Sequence, residues 1–286
     1  MKEKEHSKHI IAIPAAVTLA NGFCGFCAIM IVSHEPALSW QLPLFPGVHL
    51  TYPAIAAWFI FFGMIADILD GSVARATGAS SNFGAQLDSL CDAVSFGIAP
   101  ALLSYKMFAL ELSKLRDMSF QFKSLIGPWI IFSAMFYAIC AIVRLARFNV
   151  ENEEDDSSHA EFTGLPSTPS AGLICSLVLF HETGLHWLVL RLPFIVPYAA
   201  GIEKVTLWSI PFALLITGVL MVSRIIYPHV VYKLQRKIKL FPAVVIFVII
   251  AFFLFWNIYV ALLIGLCVFT LYGPIRHIVK HKRQTS

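Results

Sequence analysis

Charge is the property that this sequence has least of, and its scarcity excludes most classes of soluble protein. Charged residues make up 13% of the 286 positions and hydrophobic residues make up 58%, whereas a typical soluble domain has about 25% charged residues. The mean hydropathy is correspondingly high, at +0.76. We therefore expect an all-α fold, a polytopic bundle of helices in a lipid bilayer, with no nucleic-acid partner.

Features that would indicate other classes of protein are also missing. No Ala-x-Ala cleavage site follows the polar residues 1–9, so we expect no cleavable signal peptide. Cys24 and Cys27 form a Cys-x-x-Cys, but no second cysteine or histidine pair lies nearby, which favours packing over redox chemistry or metal binding. His181 and His186 have no carboxylate or cysteine at ligand spacing, so we expect both to be interfacial.

Apolar runs of about 20 residues, the length needed to cross the hydrocarbon core, predict eight spans. The last run would form about 50 Å of helix, so we divide it near Trp256–Asn257 into two short spans; one long tilted helix is the alternative. We expect the acidic run Glu151–Asp156 to be a solvated loop. The predicted spans are Ile10–Val32, Pro53–Asp67, Ala85–Met107, Leu125–Phe148, Ser170–Leu190, Leu207–Tyr227 and the two halves of Leu240–Tyr272.

The distribution of basic residues predicts the orientation of these spans. The loop from Ser33 to Tyr52 has no lysine or arginine, whereas the N-terminus, the loop before Leu240 and the C-terminal tail are basic. By the positive-inside rule, both termini are predicted to be cytoplasmic. The loop after the third span does not fit this orientation, because it is predicted to be external and yet carries Lys106, Lys114, Arg116 and Lys123.

Four aspartates within this apolar sequence are its strongest functional signal, because charge at membrane depth is costly. Asp67 and Asp70 are three positions apart, and Asp88 and Asp92 are four apart, so each pair shares one face of a helix. Four close carboxylates disfavour one another's ionisation unless cations neutralise them. An all-oxygen pocket suits Mg²⁺ or Mn²⁺, and four carboxylates can hold two ions about 3.5–4 Å apart, as in phosphoryl chemistry.

The residues between the two pairs favour phosphoryl chemistry over the other known use of membrane carboxylates. Gly71 and Gly84 allow a substrate or a neighbouring helix to approach closely, and Ala74 keeps the same face clear. Arg75 offers bidentate geometry for a phosphate. A cation channel or an ion-coupled transporter remains the alternative, because such proteins also carry intramembrane carboxylates.

The fixed spacing of these residues resembles the signature of a known enzyme family. The pattern D-x2-D-G-x2-A-R-x8-G-x3-D-x3-D is matched at every fixed position from Asp67 to Asp92. It resembles the signature of the CDP-alcohol phosphotransferases, integral membrane enzymes of phospholipid synthesis. The resemblance implies a six-helix catalytic core in residues 1–233, an additional C-terminal transmembrane hairpin and basic tail in residues 234–286, and a homodimer.

Other stretches resemble the branch of that family that uses serine as acceptor. The resemblance implies transfer of the phosphatidyl group from CDP-diacylglycerol to L-serine with release of CMP, at the cytoplasmic side of a bacterial inner membrane. Members that use glycerol phosphate or inositol phosphate are the nearest alternatives, and those acceptors should need a more basic pocket. Ala15 departs from the pattern, because relatives usually have asparagine there. The stretches are Asp88–Ala101, Arg144–Asn149, Phe162–Gly172 and Leu220–Lys233.

The resemblance, combined with the chemistry of each side chain, implies roles at the phosphate end of the site. Asp67, Asp70 and Asp88 are predicted to be the principal metal ligands. Asp92 is predicted to be the general base for the serine hydroxyl, and it could also touch a metal. Thr18 and Asn21 either reach the nucleotide or form hydrogen bonds between helices. The residues predicted to contact CMP are Asp67, Gly71, Ala74, Arg75, Thr18 and Asn21.

Basic residues are the candidates for binding the acceptor or the lipid phosphate. Arg144 and Arg147 are three positions apart and share a face of the fourth span. We favour a substrate role for both over snorkelling to the interface. Ser95, in the run just past Asp92, and Lys233 are further candidates. Gly164 and the prolines after it are expected to shape the loop that enters the fifth span.

Overall fold

Long apolar helices build the protein. The computed structural model describes residues 2–34, 40–41, 49–77, 82–114, 120–154, 161–228 and 240–285, and the side chains of 15–34, 51–72, 83–113, 124–150, 163–227 and 257–279. The helices are α1 (Lys2–Ser33), α2 (Tyr52–Thr77), α3 (Asn82–Asp92), α4 (Ala99–Lys114), α5 (Phe120–Glu154), α6 (Ser167–Leu179), α7 (Leu185–Arg191), α8 (Ala199–Val222) and α9 (Leu240–Thr285). Two π-helical segments, π1 (Ala93–Ile98) and π2 (Phe180–Gly184), join α3 to α4 and α6 to α7, and a 3-10 helix (Pro193–Tyr198) leads into α8.

Seven segments among the described residues are long and apolar enough to cross a bilayer. Their outer faces expose large apolar side chains, such as Phe23 at 64%, Ile68 at 67% and Leu125 at 73%, which would be costly in water. The chain is therefore a multi-pass membrane protein, and the predicted all-α fold class is confirmed. The segments are Ala15–Ser33, Tyr52–Ser72, Phe83–Ser113, Ser124–Val150, Ser167–Arg191, Pro193–Val222 and Asn257–Val279.

Two short antiparallel ribbons interrupt the helical pattern. Strand β1 (Trp40–Gln41) pairs with β2 (His49–Leu50) between the first two spans. Strand β3 (Glu161–Thr163) pairs with β4 (Ile226–Pro228), so that Phe162 lies opposite Tyr227. The predicted sixth span was wrong at this end, because α8 stops at Val222 and the chain becomes extended at Ser223.

Two predicted loops are also shorter than expected. The acidic run Glu151–Asp156 was predicted to be a loop, yet α5 continues through it as far as Glu154; Asp155 and Asp156 lie outside the described residues. In the basic third-to-fourth loop, Lys106 lies within α4, which ends at Lys114. Hydropathy predicts the apolar span and not the helix boundary, so polar residues at its end can continue the helix.

Helix α9 is interrupted at the point where the sequence predicted a division. Asn257 has non-helical angles, φ −161° and ψ 99°. Its Oδ1 accepts hydrogen bonds from the backbone amides of Tyr259, at 3.1 Å, and Val260, at 3.2 Å, so it caps the second half of α9. That half packs against α6 and π2, where Leu266 lies beside Gly172. The side chains of the first half, residues 240–256, lie outside the described part of the chain, so the division into domains stays a prediction.

The core of the bundle lies where π1, α5, α6 and α8 meet. Phe96, Tyr137, Ile174 and Ile210 are each fully buried there. The hydroxyl of Tyr137 donates a 3.0 Å hydrogen bond to the carbonyl oxygen of Phe96, which satisfies a polar group that the apolar surroundings would otherwise leave without a partner. This contact anchors π1, the segment that directly follows Asp92, against α5.

Candidate active site

Three of the four aspartates converge between α2 and α3. Carboxylate oxygens of Asp67, Asp88 and Asp92 all lie within 4.8 Å of one another. Asp92 is buried, and the other two are half-buried. The spacing of three and four positions turns each pair toward a common pocket. The carboxylates of the two helix faces identified from the sequence therefore come together and concentrate negative charge, while α2 and α3 each pack against α1.

Asp70 lies beside this group and is held by α1. Its Oδ2 accepts a hydrogen bond from the hydroxyl of Thr18. Its Oδ1 is buried and has no hydrogen-bond partner among the described residues. A buried carboxylate oxygen without a donor is costly unless a cation supplies the missing interaction. Asp70 Oδ1 is thus chemically suited to be a metal ligand.

Helix α1 also positions Asp92. The side-chain amide of Asn21 donates to Asp92 Oδ1 at 2.8 Å, and the hydroxyl of Ser95 donates to the carbonyl oxygen of Asn21 at 2.9 Å. Small residues allow this contact, because a Cβ on Gly25 would lie 2.6 Å from the Cα of Ser95. In the described contacts, Thr18 and Asn21 therefore bond between helices, which was one of the two alternatives left open by the sequence.

The two predicted arginines have different surroundings. Arg144 is buried, with 7% exposure, and its Nη1 donates to the hydroxyl of Ser167 at 3.0 Å. Its guanidinium lies 5.8 Å from the ring centroid of Phe148, and its buried Nε has no hydrogen-bond partner among the described residues. Asp92 and Asp67 are close enough to interact with it electrostatically. Arg144 thus places a buried positive charge beside the acidic pocket.

Arg147 bonds instead to backbone carbonyls at the end of α8. Its Nη1 donates to Val222 at 3.1 Å, and its Nη2 donates to Thr163 at 2.7 Å and to Met221 at 3.4 Å. The last carbonyls of a helix have no partners within it, and a cation there also interacts favourably with the helix dipole. These contacts connect α5 to the end of α8 and to β3.

The start of α6 supplies two residues that the sequence analysis did not assign to the site. Thr168 Oγ1 donates to Asp67 Oδ2 at 3.5 Å, and Ser167 contacts Arg144 as described above. Both lie in the first turn of α6, within the stretch to which we gave only a structural role. The sequence feature that could have identified these two residues is a pair of short hydroxyl side chains at a helix start, directly after a Gly-Leu-Pro turn.

Gly164 makes that turn possible. It has the only positive φ among the described residues, +83°, in the left-handed region that favours glycine. Its amide donates to the carbonyl oxygen of Ile225 at 2.8 Å, and the amide of Leu165 donates to that of Leu220 at 3.0 Å. A Cβ here would lie 2.9 Å from Arg147 Nη2. The predicted shaped loop therefore fixes the start of α6 against the end of α8.

The remaining predicted site residues lie on α2, on π1 and beyond β4. Gly71 is half-buried on α2 directly after Asp70, and Ser95 is fully buried on π1. Ala74 and Arg75 continue α2, but their side chains lie outside the described residues, and Lys233 lies wholly outside them.

A membrane pocket that presents carboxylates and a buried arginine can bind a metal-associated phosphate group, and comparison with known proteins identifies the family. Residues 11–198 match the family model described as CDP-alcohol phosphatidyltransferase. The chain therefore belongs to this family of membrane phosphotransferases, and the predicted resemblance is confirmed. Members of the family use a divalent metal, which the oxygen-only donor set of the pocket fits.

Several relatives carry the same name. A CDP-diacylglycerol–serine O-phosphatidyltransferase of Helicobacter pylori strain J99 is 33% identical over 224 residues, which cover 78% of this chain and 80% of that protein. A Bacillus subtilis protein of the same name is 34% identical over 168 residues, covering 58% of this chain and 74% of the relative. One from Methanocaldococcus jannaschii is 33% identical over 174 residues, covering 60% and 64%.

Proposed function

We propose that the protein transfers the phosphatidyl group of CDP-diacylglycerol to the hydroxyl of L-serine, giving phosphatidylserine and CMP. The observation that supports this most strongly is the convergence of Asp67, Asp88 and Asp92 within 4.8 Å, beside the buried Arg144, near the ends of membrane helices. The choice of serine as the acceptor is based on the names of the relatives, because each name specifies serine.

The carboxylates would hold Mg²⁺ or Mn²⁺, most simply as two ions. Asp67, Asp70 and Asp88 are the proposed principal ligands, and the unpartnered Oδ1 of Asp70 supports its inclusion. Bound divalent cations would offset the negative charge of the pyrophosphate and of the departing CMP. Thr168 and Thr18, which donate to Asp67 and Asp70, would keep those two carboxylates oriented.

Asp92 is the proposed general base. Asn21 holds its Oδ1 and leaves Oδ2 to accept the proton of the serine hydroxyl. As that proton moves to Asp92, the serine oxygen forms a bond to the phosphorus that carries diacylglycerol, and the bond from this phosphorus to the CMP oxygen breaks. No covalent protein intermediate is required, because the acceptor hydroxyl attacks directly.

Substrate recognition is divided between the two sides of the pocket. Arg144 is the proposed partner of the lipid phosphate or the serine carboxylate, because its buried Nε has no described partner and a buried cation needs an anion. Ser95 and Lys233 are further candidates for the same task, whereas the bonds of Arg147 to backbone carbonyls favour a structural role over its predicted substrate role. On the CMP side, the α2 residues that follow Asp70 are the proposed contacts: Gly71, Ala74 and Arg75.

We place this chemistry at the cytoplasmic side of a bacterial inner membrane, with both termini in the cytoplasm, and we propose a homodimer. The distribution of basic residues supports the orientation. Serine and CMP are water-soluble and CDP-diacylglycerol lies in the bilayer, so a site near the helix ends is accessible to all three.

An acceptor series tests the proposal directly. Purified protein in detergent receives CDP-diacylglycerol, Mg²⁺ or Mn²⁺, and L-serine, glycerol phosphate or inositol phosphate, and released CMP is measured. We expect CMP release that requires both serine and the metal. Release with glycerol phosphate or inositol phosphate alone would assign another acceptor, and no release with any acceptor would favour an ion-coupled transporter.

A further inference from the structure

A second group of metal-ligating side chains lies at the other end of the bundle from the aspartates. Ligand atoms of Glu111, His181 and Glu182 all lie within 4.8 Å of one another. Glu111 is near the end of α4, whereas Asp92 ends α3; the rise of 1.5 Å per residue separates the two by about 28 Å along the span. This group, the Glu-His-Glu cluster, therefore cannot share a ligand with the aspartates.

The membrane setting makes this cluster unusual. Glu111 lies in the span Phe83–Ser113, and His181 and Glu182 lie within the span Ser167–Arg191. All three side chains are half-buried. Ionisable groups within membrane spans are costly and usually serve a function, with partners that face them from neighbouring helices. Here Glu111, on α4, approaches His181, which lies 70 positions later in the sequence on another span.

The backbone geometry is a second, independent observation. The described residues contain two π-helical segments. One begins directly after Asp92, and the other, Phe180–Gly184, contains both His181 and Glu182. Single π-helical turns are rare in proteins and occur frequently at functional sites. The Glu-His-Glu cluster thus has the same backbone feature that accompanies the aspartate site.

The hydrogen bonding of His181 points to a ligand. Its Nδ1 is buried and has no hydrogen-bond partner among the described residues. A buried ring nitrogen without a partner is costly, and a coordinated cation would satisfy it. One imidazole and two carboxylates suit Zn²⁺ and related transition metals, whereas Mg²⁺ prefers oxygen ligands alone.

We propose that Glu111, His181 and Glu182 form a second metal site that binds one divalent transition-metal ion of the Zn²⁺ type and fastens α4 to the π-helical turn of the fifth span. The site is structural, because it lies far from the aspartates. Its proposed role is to hold the end of α4 against π2, where Tyr259 of α9 also packs beside Gly184.

Metal titration of the purified full chain tests this site separately from the reaction. Protein in detergent is stripped with a chelator and saturated with Mg²⁺, and Zn²⁺ binding and the melting temperature are then measured. We expect one Zn²⁺ per chain and a rise in melting temperature. Glu111→Gln and Glu182→Gln should each weaken Zn²⁺ binding at least about tenfold, since even loss of an outer-shell partner typically costs that much.

Two controls separate the sites. His186→Gln changes an exposed histidine five positions away and should leave Zn²⁺ binding unchanged, and Asp67→Asn should retain the Zn²⁺ while losing serine-dependent CMP release. Zn²⁺ binding that is lost in Asp67→Asn but not in Glu111→Gln would overturn the proposal. So would a wild-type chain that binds no Zn²⁺ in the presence of Mg²⁺.

Discussion

Asn21 and Asp92 lie 71 positions apart in the sequence, yet the side-chain amide of Asn21 donates a 2.8 Å hydrogen bond to Asp92 Oδ1. Both side chains are buried, and Ser95 holds the carbonyl oxygen of Asn21 in turn. The first span therefore fixes the orientation of the proposed general base, although it carries no acidic residue within its described side chains.

Replacing this amide should impair turnover more than binding. We expect Asn21→Ala to lower kcat about 10- to 100-fold, the usual effect of removing a group that orients a reacting carboxylate, with little change in KM for CDP-diacylglycerol. Steady-state CMP release measures both constants. If Asn21 contacts the nucleotide instead, KM for CDP-diacylglycerol should rise while kcat changes little.

Substitutions of the aspartates should distinguish the metal ligands from the general base. We expect Asp92→Asn to lose turnover while retaining Mn²⁺ binding, because an amide can still coordinate weakly but cannot accept the serine proton. Asp67→Asn should lose both. Isothermal titration with Mn²⁺, alongside CMP release, measures the two properties. Equal loss of Mn²⁺ binding in the two variants would contradict this division, and it would place Asp92 among the ligands with which the structure groups it.

The two arginines of α5 should give opposite results. Arg144→Lys removes the planar donor beside Asp92 and should cut kcat/KM at least about tenfold, because lysine does not reproduce the guanidinium geometry. Arg147→Lys removes bonds to the carbonyls of Thr163, Met221 and Val222. It should lower the melting temperature and leave KM for serine unchanged. A raised KM for serine in Arg147→Lys would instead support its predicted substrate role.

Helical periodicity explains why the acidic pocket could be predicted. The spacing places Asp67 with Asp70, and Asp88 with Asp92, on one face of a helix each, and the only further requirement was that these faces of α2 and α3 approach each other. Hydropathy similarly predicted the spans, because each must cover about 30 Å of hydrocarbon. It placed the division of the last apolar run at Trp256–Asn257, where Asn257 leaves the helical conformation.

Contacts between distant helices could not be predicted in this way. Neither the bond of Thr18 to Asp70 nor the approach of Glu111 to His181 follows from spacing within one helix. The end of α8 was also missed, because the apolar residues Ile225–Tyr227 follow Ser223 and Arg224 although the backbone is already extended there. That end depends on Arg147, whose contacts with α8 carbonyls are visible only in three dimensions.

The contact between α1 and π1 should tolerate no additional methyl group. A Cβ on Gly25 would lie 2.6 Å from the backbone Cα of Ser95, so Gly25→Ala must move α1 away from Asp92. We expect it to lower the free energy of unfolding by about 1–3 kcal/mol, as overpacking usually does, and to reduce CMP release. Gly127→Ala, at a helical glycine with no atom within 4 Å of the added Cβ, is the matched control. Similar melting temperatures for the two variants would show that α1 can shift freely.

Tyr227 and Gly273 form a contact between the ribbon of β3 and β4 and the last span, α9. Tyr227 on β4 is fully buried and donates a 3.0 Å hydrogen bond to the carbonyl oxygen of Thr270. Burial raises the pKa of Tyr227 to about 12, so the hydroxyl remains a donor at neutral pH. A Cβ on Gly273 would lie 2.5 Å from Cε1 of this ring.

Gly273→Ala should therefore push α9 away from β4. We expect it to lower the free energy of unfolding by about 1–3 kcal/mol, measured by thermal unfolding in detergent. Gly265→Ala on the same helix, where an added Cβ has no atom within 4 Å, should not lower stability. Because β4 pairs with β3, whose Thr163 binds Arg147, Gly273→Ala should also reduce CMP release. Normal stability with normal CMP release would mean that the last span is not coupled to the catalytic core.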